Sequence, residues 1–451
     1  MTTRAVGSRH PADRRRGKNL ALLTASHAFD NAETSVVSVL FPLIRDALGL
    51  SAAALGALVA AGKIVGTIAA LPWVFLTRRF PRKTVLAVCA GFWGVWAMAA
   101  GLSANFAQLI VLTTIAAAGF AGAGPIALGI LGDLYDDSER GRATGALYAG
   151  TALATGIAAP LFGRLSGFEN GWRYGFFISG GICVIVGVLI LVFLDEPEPA
   201  HRPAAADGEM TPEERHALGS VVSNGRVRLI GASLRKLFGI RTYRYLLVQR
   251  LFSGQSIIMS FGTVFLVQDR GFNTATAALI ALPFALGYIV GTFLGGRAVD
   301  AVHRSRPRSG RIALLQISQI AFAAVAFTAF AIPWSSIAVY VALFAAVGFL
   351  QGQYPVINRP LIMAVVPPPL RPLAFAVSVS AADGLAYAIY SLLTGVLGDQ
   401  IGLGAALLLV TVVLTASNGL VCAILYHPYA HDSAALAEQL ASGDGVTDAV
   451  R

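Results

Sequence analysis

The sequence predicts an all-α membrane protein with twelve transmembrane helices in two six-helix bundles. Three observations predict it. Hydrophobic residues make up 56% of the 451 and mean hydropathy is +0.68. Charged residues are 13% of the chain, about half the ~25% of a soluble globular protein, so a water-facing surface cannot be covered. Long apolar stretches recur twelve times, and one long polar segment divides them into two sets of six.

A helix needs about 20 mostly apolar residues to cross a ~30 Å hydrocarbon core. Taken in order, the chain opens with a basic, polar N-tail at 1–19. The apolar run behind it lacks a small-residue cleavage site, so it is expected to be a membrane span and not a removed leader. Spans 1 to 6 fall at 20–44, 53–77, 84–103, 106–131, 143–165 and 173–194, forming an N-terminal bundle over 20–194. A central polar segment follows at 195–243. Spans 7 to 12 fall at 244–268, 274–298, 311–332, 335–358, 372–396 and 403–426, forming a C-terminal bundle over 244–427. A C-tail occupies 428–451.

The central segment carries local signals of its own. Thr211-Pro212-Glu213-Glu214 has the form of a capping box with proline in the first turn. Residues 226–241 mix Arg226, Arg228, Arg235, Lys236 and Arg241 with Leu229, Leu234, Leu237 and Phe238. They form either an amphipathic helix at the membrane surface or a solvated basic linker. Cys89, Cys183 and Cys422 lie in three separate spans without ligand spacing and are expected to be packing residues.

Basic residues set the orientation. Of the 34 Lys and Arg residues, 28 fall in, or at span ends bordering, the N-tail, the central segment, the C-tail and the links 2–3, 4–5, 8–9 and 10–11. Only Arg45, Arg164, Arg173 and Arg270 fall on the other side, and Lys63 and Arg250 lie within spans. Both termini are therefore expected in the cytoplasm, with the chain crossing the inner (plasma) membrane. The net charge of +10 then reads as attraction to anionic lipid headgroups, and nucleic acid is not an expected partner.

The two halves echo each other in their links. Leu76-Thr77-Arg78-Arg79-Phe80-Pro81-Arg82-Lys83 joins spans 2 and 3, and Gly296-Arg297-Ala298-Val299-Asp300 lies between 8 and 9. Asp133-Leu134-Tyr135 and Arg140-Gly141-Arg142-Ala143 join 4 and 5, and Arg371-Pro372-Leu373-Ala374 joins 10 and 11. In these features, over 20–427, the chain resembles the major facilitator superfamily. That family's G-x-x-x-D-R/K-x-G-R-R/K signature is matched in its second copy by Gly296 and Asp300. The first copy keeps Arg79, Arg82 and Lys83 but has Val74, Arg78 and Pro81 at the glycine, aspartate and second glycine positions. The resemblance implies a secondary transporter working by alternating access, with Arg78, Arg79, Arg82, Asp133, Arg142, Gly296 and Asp300 as conformational residues. The family's aspartate latches the halves, which Arg78 does not do in the same way. Trp172-Arg173 and Leu194-Asp195-Glu196-Pro197 are also similar to the family's span 6 ends. Within it, His27 to Glu33 and Arg142 to Pro197 look most like Spinster-type transporters of lysolipids and related amphiphiles. This chain has Asp30-Asn31 where those carry Asp-Arg, and no acid in span 4.

A transport site is expected where lipid would otherwise reject polar groups, because an ionised side chain at the bilayer centre costs about 2.5–3.5 kcal/mol. His27, Asp30 and Glu33 recur every three residues in span 1. At 1.5 Å per residue, Asp30 and Lys63 both sit ~15 Å from a membrane edge, near the midplane, and Asp383 is at a similar depth in span 11. Asp30, Glu33, Lys63, Asp383 and His27 are the candidates for proton coupling, since burial and a nearby cation shift a carboxyl's affinity for protons in opposite directions. A static Asp–Lys pair and a structural histidine are the plain alternatives. Substrate contacts are expected from Asn31, Thr34, Arg250, Gln255, Tyr288, Gln351, Gln353, Tyr354 and Tyr387, although helix–helix hydrogen bonding explains amides as well. Arg250 is expected to reach towards the cytoplasm along its apolar stem. Gly287, Gly291 and Gly295 repeat at the spacing of close helix packing, and Gly145, Gly150, Gly156, Pro160 and Gly163 give span 5 room to move.

The leading expectation is proton-driven export of an amphipathic or hydrophobic small organic molecule, with proton-coupled uptake of an organic anion as the alternative. No nucleotide, zincin or nucleophile-elbow motif is present. A membrane-embedded transferase is thus a remote reading, a channel needs no duplicated halves, and no cofactor or metal is expected. The small-molecule substrate, protons and lipid are the expected partners of a functional monomer.

Overall fold

The computed structural model describes residues 11–77, 79–135, 137–196 and 231–441. Within these ranges the side chains of 11–15, 29–35, 71, 137–142, 369, 372, 380 and 441 lie outside the description. Arg78, the capping box at Thr211 and the side chains of Asp30, Asn31, Glu33, Thr34 and Arg142 are therefore outside the described set.

Helix accounts for nearly every described residue. Eleven helical stretches are long and apolar enough to cross a membrane, from Ala52–Leu76 to Leu403–Leu440. The remaining span is the helix Pro11–Leu48, which contains the expected span 1. The boundaries lie within a few residues of the sequence expectation except where helices run longer than the expected spans. Span 8 extends to Ser305 and span 10 to Val365. The helix Tyr426–Ala441 carries span 12 into the expected C-tail. Residues 231–239 are also helical. There Leu237 is fully buried beside Tyr243 and Leu246, so the basic segment is anchored into the C-terminal bundle through this leucine.

Small residues set how closely the spans approach. Spans 8 and 10 interlock reciprocally. A Cβ on Gly291 would lie 1.9 Å from the carbonyl oxygen of Phe349, and one on Gly352 would lie 2.2 Å from that of Tyr288. The expected packing face of span 8 is thus used against span 10. In span 5, Gly156 and Gly163 face Ala285 and Ala278 of span 8, giving a smooth contact between the two halves. Span 4 is interrupted at Ala121–Gly122. Trp73 and Trp93 donate their indole N–H groups to the carbonyls of Ala118 and Ile115 nearby, at 2.8 and 2.7 Å.

The cores are arranged unevenly across the thickness of the protein. On the face away from the termini one apolar core joins both bundles, from Val36–Ile44 and Ala54–Val59 in the first half to Ile257–Leu266 and Leu403–Val412 in the second. On the termini face each bundle has its own core. One holds Leu23, Leu86, Ile130 and Leu147, and the other holds Tyr243, Ile312, Leu361 and Tyr429. Burial of shared apolar surface is the main cohesive term, so the halves are held together distally and part towards the termini.

Candidate functional site at the junction of the two bundles

Backbone irregularities mark the site. Span 7 is helical over Arg241–Leu251, loses its helix at 252–254, and resumes through a short turn at Gln255 into Ile258–Gln268. Facing it, span 11 contains a π-helical turn at Ala376–Ala382 and span 12 another at Leu408–Val413. Gly254 permits the close approach, since a Cβ there would stand 1.8 Å from the carbonyl oxygen of Val410. A break in a spanning helix frees carbonyls within the membrane, and such breaks are tolerated where they line a cavity or find other donors. Here Tyr390 donates its hydroxyl to the freed carbonyl of Leu251.

The charges gather around this break. Arg250, the last helical residue but one, is only 2% exposed and pairs with Asp383, the residue that ends the π-turn of span 11. A second guanidinium N–H is directed to the carbonyl of Ser378 inside that turn, at 3.3 Å. The ring of Tyr354 stands 5.7 Å from the guanidinium. This corrects the expectation that Arg250 extends towards the cytoplasm: its counter-ion and the carbonyl of Ser378 hold it within the bundle.

One helical turn beyond Asp383 is Tyr387, half-buried, whose hydroxyl is 2.6 Å from that of Ser260 in span 7. The ammonium of Lys63, in the other half, lies over the Tyr387 ring at 5.3 Å. Next to it Thr67 faces Gly384, where a Cβ would stand 3.2 Å from the threonine hydroxyl. Lys63 therefore meets the opposite bundle; the side chains of Asp30 and Glu33 lie outside the description. Asp383, Tyr387, Lys63 and Arg250 are brought into one neighbourhood.

Other expected residues divide differently. Gln255, at 1% exposure, and Tyr354, at 8%, are buried within the C-terminal bundle. Gln351 bonds to Ser256 at 3.4 Å. Tyr354 belongs to an amide network in which Gln249 donates to Asn418 at 2.7 Å and Asn358 donates to Gln249 at 3.2 Å. Gln249, Asn358 and Asn418 tie spans 7, 10 and 12 together, so helix bonding is the role the structure gives them. Tyr288 packs along the Gly352 turn, and Gln353 lies against Gly295. In the first half, His27 meets Tyr148 edge-on at 5.6 Å. A Cβ at Gly124 would be 3.4 Å from the imidazole, so the glycine in span 4 makes room for the ring.

The conformational residues form one cluster and one exposed set. Arg82 bonds Asp133 at 2.5 Å and Glu196 at 3.5 Å. The Glu196 carboxylate also accepts from the backbone N–H groups of Arg82 and Lys83, at 2.8 and 3.3 Å. Spans 3, 4 and 6 are thus fastened at the termini face. Arg79 is exposed and lies 6.0 Å from the Phe80 ring. Asp300 is exposed as well, and a Cβ at Gly296 would meet nothing within 4 Å. Glu196 was missed as a site residue, and its place just after an apolar span was the available signal.

Two bundles joined on one side, with buried charges where they part, define the architecture of a membrane carrier. The chain belongs to the Major Facilitator Superfamily, whose model matches residues 23–328 and 251–444. It is 25% identical over 284 residues to the hexuronate transporter of Bacillus subtilis (strain 168), covering 62% of this chain and 63% of that protein. To the probable sulfoacetate transporter SauU of Cupriavidus necator it is 26% identical over 281 residues, again covering 62% and 63%. The chain thus aligns with a little under two thirds of each relative's length. Among solved structures it is similar to a bacterial homologue of the human lysosomal transporter Spinster in an inward-facing, unoccupied conformation. There the TM-score is 0.69 at 20% identity, with 96% of this chain and 99% of that one covered. A D-xylose–proton symporter superposes with a TM-score of 0.67 at 17% identity, covering 91% and 97%.

Proposed function

We propose that this chain is a proton-coupled secondary transporter of a small organic anion in the plasma membrane, with both termini cytoplasmic. One observation carries the reading. The Lys63 ammonium of one bundle lies over Tyr387 of the other, one turn from the Asp383–Arg250 pair, where the halves part. An aromatic face attracts a cation by about 0.5–1 kcal/mol at an exposed site, far less than a carboxylate offers at low dielectric. An entering anion therefore competes readily for this ammonium. The relatives named for hexuronate and sulfoacetate transport acidic solutes, which supports the same class.

Coupling follows from exchange of partners. In this conformation Asp383 is paired with Arg250. An anion that draws on Lys63 or Arg250 changes the charge balance around Asp383 and Asp30 and with it their proton occupancy. Alternating access needs each ligand to favour one arrangement of the halves, and a residue contacted across the junction meets that need.

Export of an amphiphile is the second reading. It is supported by the likeness to the Spinster homologue and by an apolar cleft of about 460 Å³ between spans 1 and 5, lined by Leu20, Ala21, Thr24, Ala25, Ala28 and Ala146 among others. The deciding experiment is counterflow in proteoliposomes with radiolabelled glucuronate, sulfoacetate or a lysophospholipid, with and without a pH gradient. Saturable, gradient-dependent movement of an acid supports the first reading. Movement of the lysolipid alone replaces it with the second.

A further inference from the structure

We propose that Asp399, at the distal end of span 11, is a latch that holds the two halves closed on that face by capping the helix of the opposite half. The observation begins with an unused cap. Ser51 precedes span 2 with an extended backbone, φ −97° and ψ 171°, yet its hydroxyl makes no capping bond. The first N–H groups of a helix have no partner within it. Here they go to Asp399, which accepts from the backbone N–H of Ala52 at 2.7 Å and from that of Ala53 at 3.0 Å. A carboxylate is suited to that position because the helix N-terminus carries partial positive charge.

The register is fixed by backbone contact alongside. A Cβ at Gly395 would stand 2.7 Å from the carbonyl oxygen of Ala52, and one at Gly56 would stand 2.4 Å from that of Ser391. Spans 2 and 11 therefore touch main chain to main chain, which places the carboxylate of the exposed Asp399 beside the helix start.

The same chemistry recurs elsewhere, with one difference. Glu196 caps span 3, Asp269 accepts from the N–H of Gly404 at the start of span 12 at 2.7 Å, and Asp432 accepts from that of Thr242 at the start of span 7 at 2.9 Å. Each of those joins segments of one half, so each persists whichever way the halves rock. Asp399 and Ala52 belong to different halves. Separation of the halves on the distal face must break both bonds, and an interaction present in only one of two states biases their equilibrium. The ion pairs described above stay within a half, so they carry no such bias.

The inference rests on the alternating-access reading, and the two fail by different measurements. Spin labels at the exposed distal positions Glu169 and Ser335, introduced as E169C and S335C, report the separation of the halves by double electron–electron resonance in lipid nanodiscs. Wild type is expected to show a dominant short distance with a minor long one. Asp399→Ala should shift that ratio towards the long distance by about fivefold, the population equivalent of a lost cap. Ala52→Pro removes the nearer of the two donors from the other side and should shift it the same way by a smaller factor, proline being well tolerated at the first helical position. Asp269→Ala, which removes a cap inside one half, should leave the ratio unchanged. Distributions for Asp399→Ala and Ala52→Pro that superpose on wild type overturn the latch. So does an equal shift in Asp269→Ala. If Asp399→Ala does not fold, Ala52→Pro decides alone. Absence of saturable solute movement by wild-type vesicles would count against alternating access itself and leave the distance result standing.

Discussion

Arg250 is buried beside the break in span 7 and donates to the carboxylate of Asp383 in span 11, so an ion pair joins two of the irregular helices of the C-terminal bundle. Removing one member of a buried pair costs about 3–5 kcal/mol because the other charge is left uncompensated. The Asp383 side chain retains 36% exposure, which places the effect towards the lower end. Asp383→Asn is expected to lower the melting temperature of the purified protein clearly. The double variant Arg250→Gln/Asp383→Asn should melt nearer to wild type than Asp383→Asn does, while neither transports. Strictly additive melting shifts would show that the two side chains do not stabilise each other.

Lys63 gives the specificity prediction. Its ammonium meets the Tyr387 ring at 5.3 Å from the opposite bundle, which leaves its charge for a solute. Lys63→Gln should raise the KM for an organic acid by about tenfold or more, the equivalent of ~1.4 kcal/mol. The KM for a neutral analogue of the same shape should barely move, and Lys63→Arg should restore much of the acid's affinity. Equal loss for acid and neutral analogue would assign Lys63 to packing or folding.

Asp30 tests coupling. It stands on span 1, near mid-membrane by its position in the helix Pro11–Leu48. Asp30→Asn should abolish accumulation driven by a pH gradient while leaving solute counterflow, which needs no net proton movement, largely intact. Accumulation equal to wild type in this variant would remove Asp30 from the coupling mechanism.

Much of this was legible in the chain because lipid imposes strong rules. Spanning helices must satisfy their own backbone, so length and hydropathy located them, while the basic residues supply the proposed orientation. The Gly287, Gly291 and Gly295 repeat was readable for the same reason: only a missing Cβ allows that approach, and span 10 fills it. The pairing of charges was less legible. Arg250 and Asp383 are far apart in sequence and meet through the unwinding at 252–254 and the turn at Ala376–Ala382. Neither irregularity has a composition signal beyond Ser253-Gly254. The caps by Glu196 and Asp399 were missed because a carboxylate at a helix end looks in sequence like ordinary surface polarity. Its partner is a backbone group, which no side-chain pattern reveals.

The Arg82 cluster separates two contributions that usually travel together. Glu196 both pairs with the Arg82 guanidinium, at 3.5 Å, and caps span 3 through the N–H groups of Arg82 and Lys83. Both partners are mostly shielded, with side-chain exposures of 18% and 22%. Glu196→Gln keeps one acceptor for the cap and removes the charge, whereas Glu196→Ala removes both. A lost cap typically costs ~1 kcal/mol, and a hydrogen bond to a charged group about 1.5–3 kcal/mol, part of which Asp133 retains by holding Arg82 at 2.5 Å. Glu196→Gln should therefore lower the melting temperature slightly and Glu196→Ala about twice as far. Asp133→Asn added to Glu196→Gln should give a loss larger than the sum of the two single losses, because Arg82 then has neither carboxylate. Simple additivity in that double variant would show that the two acids act on Arg82 independently.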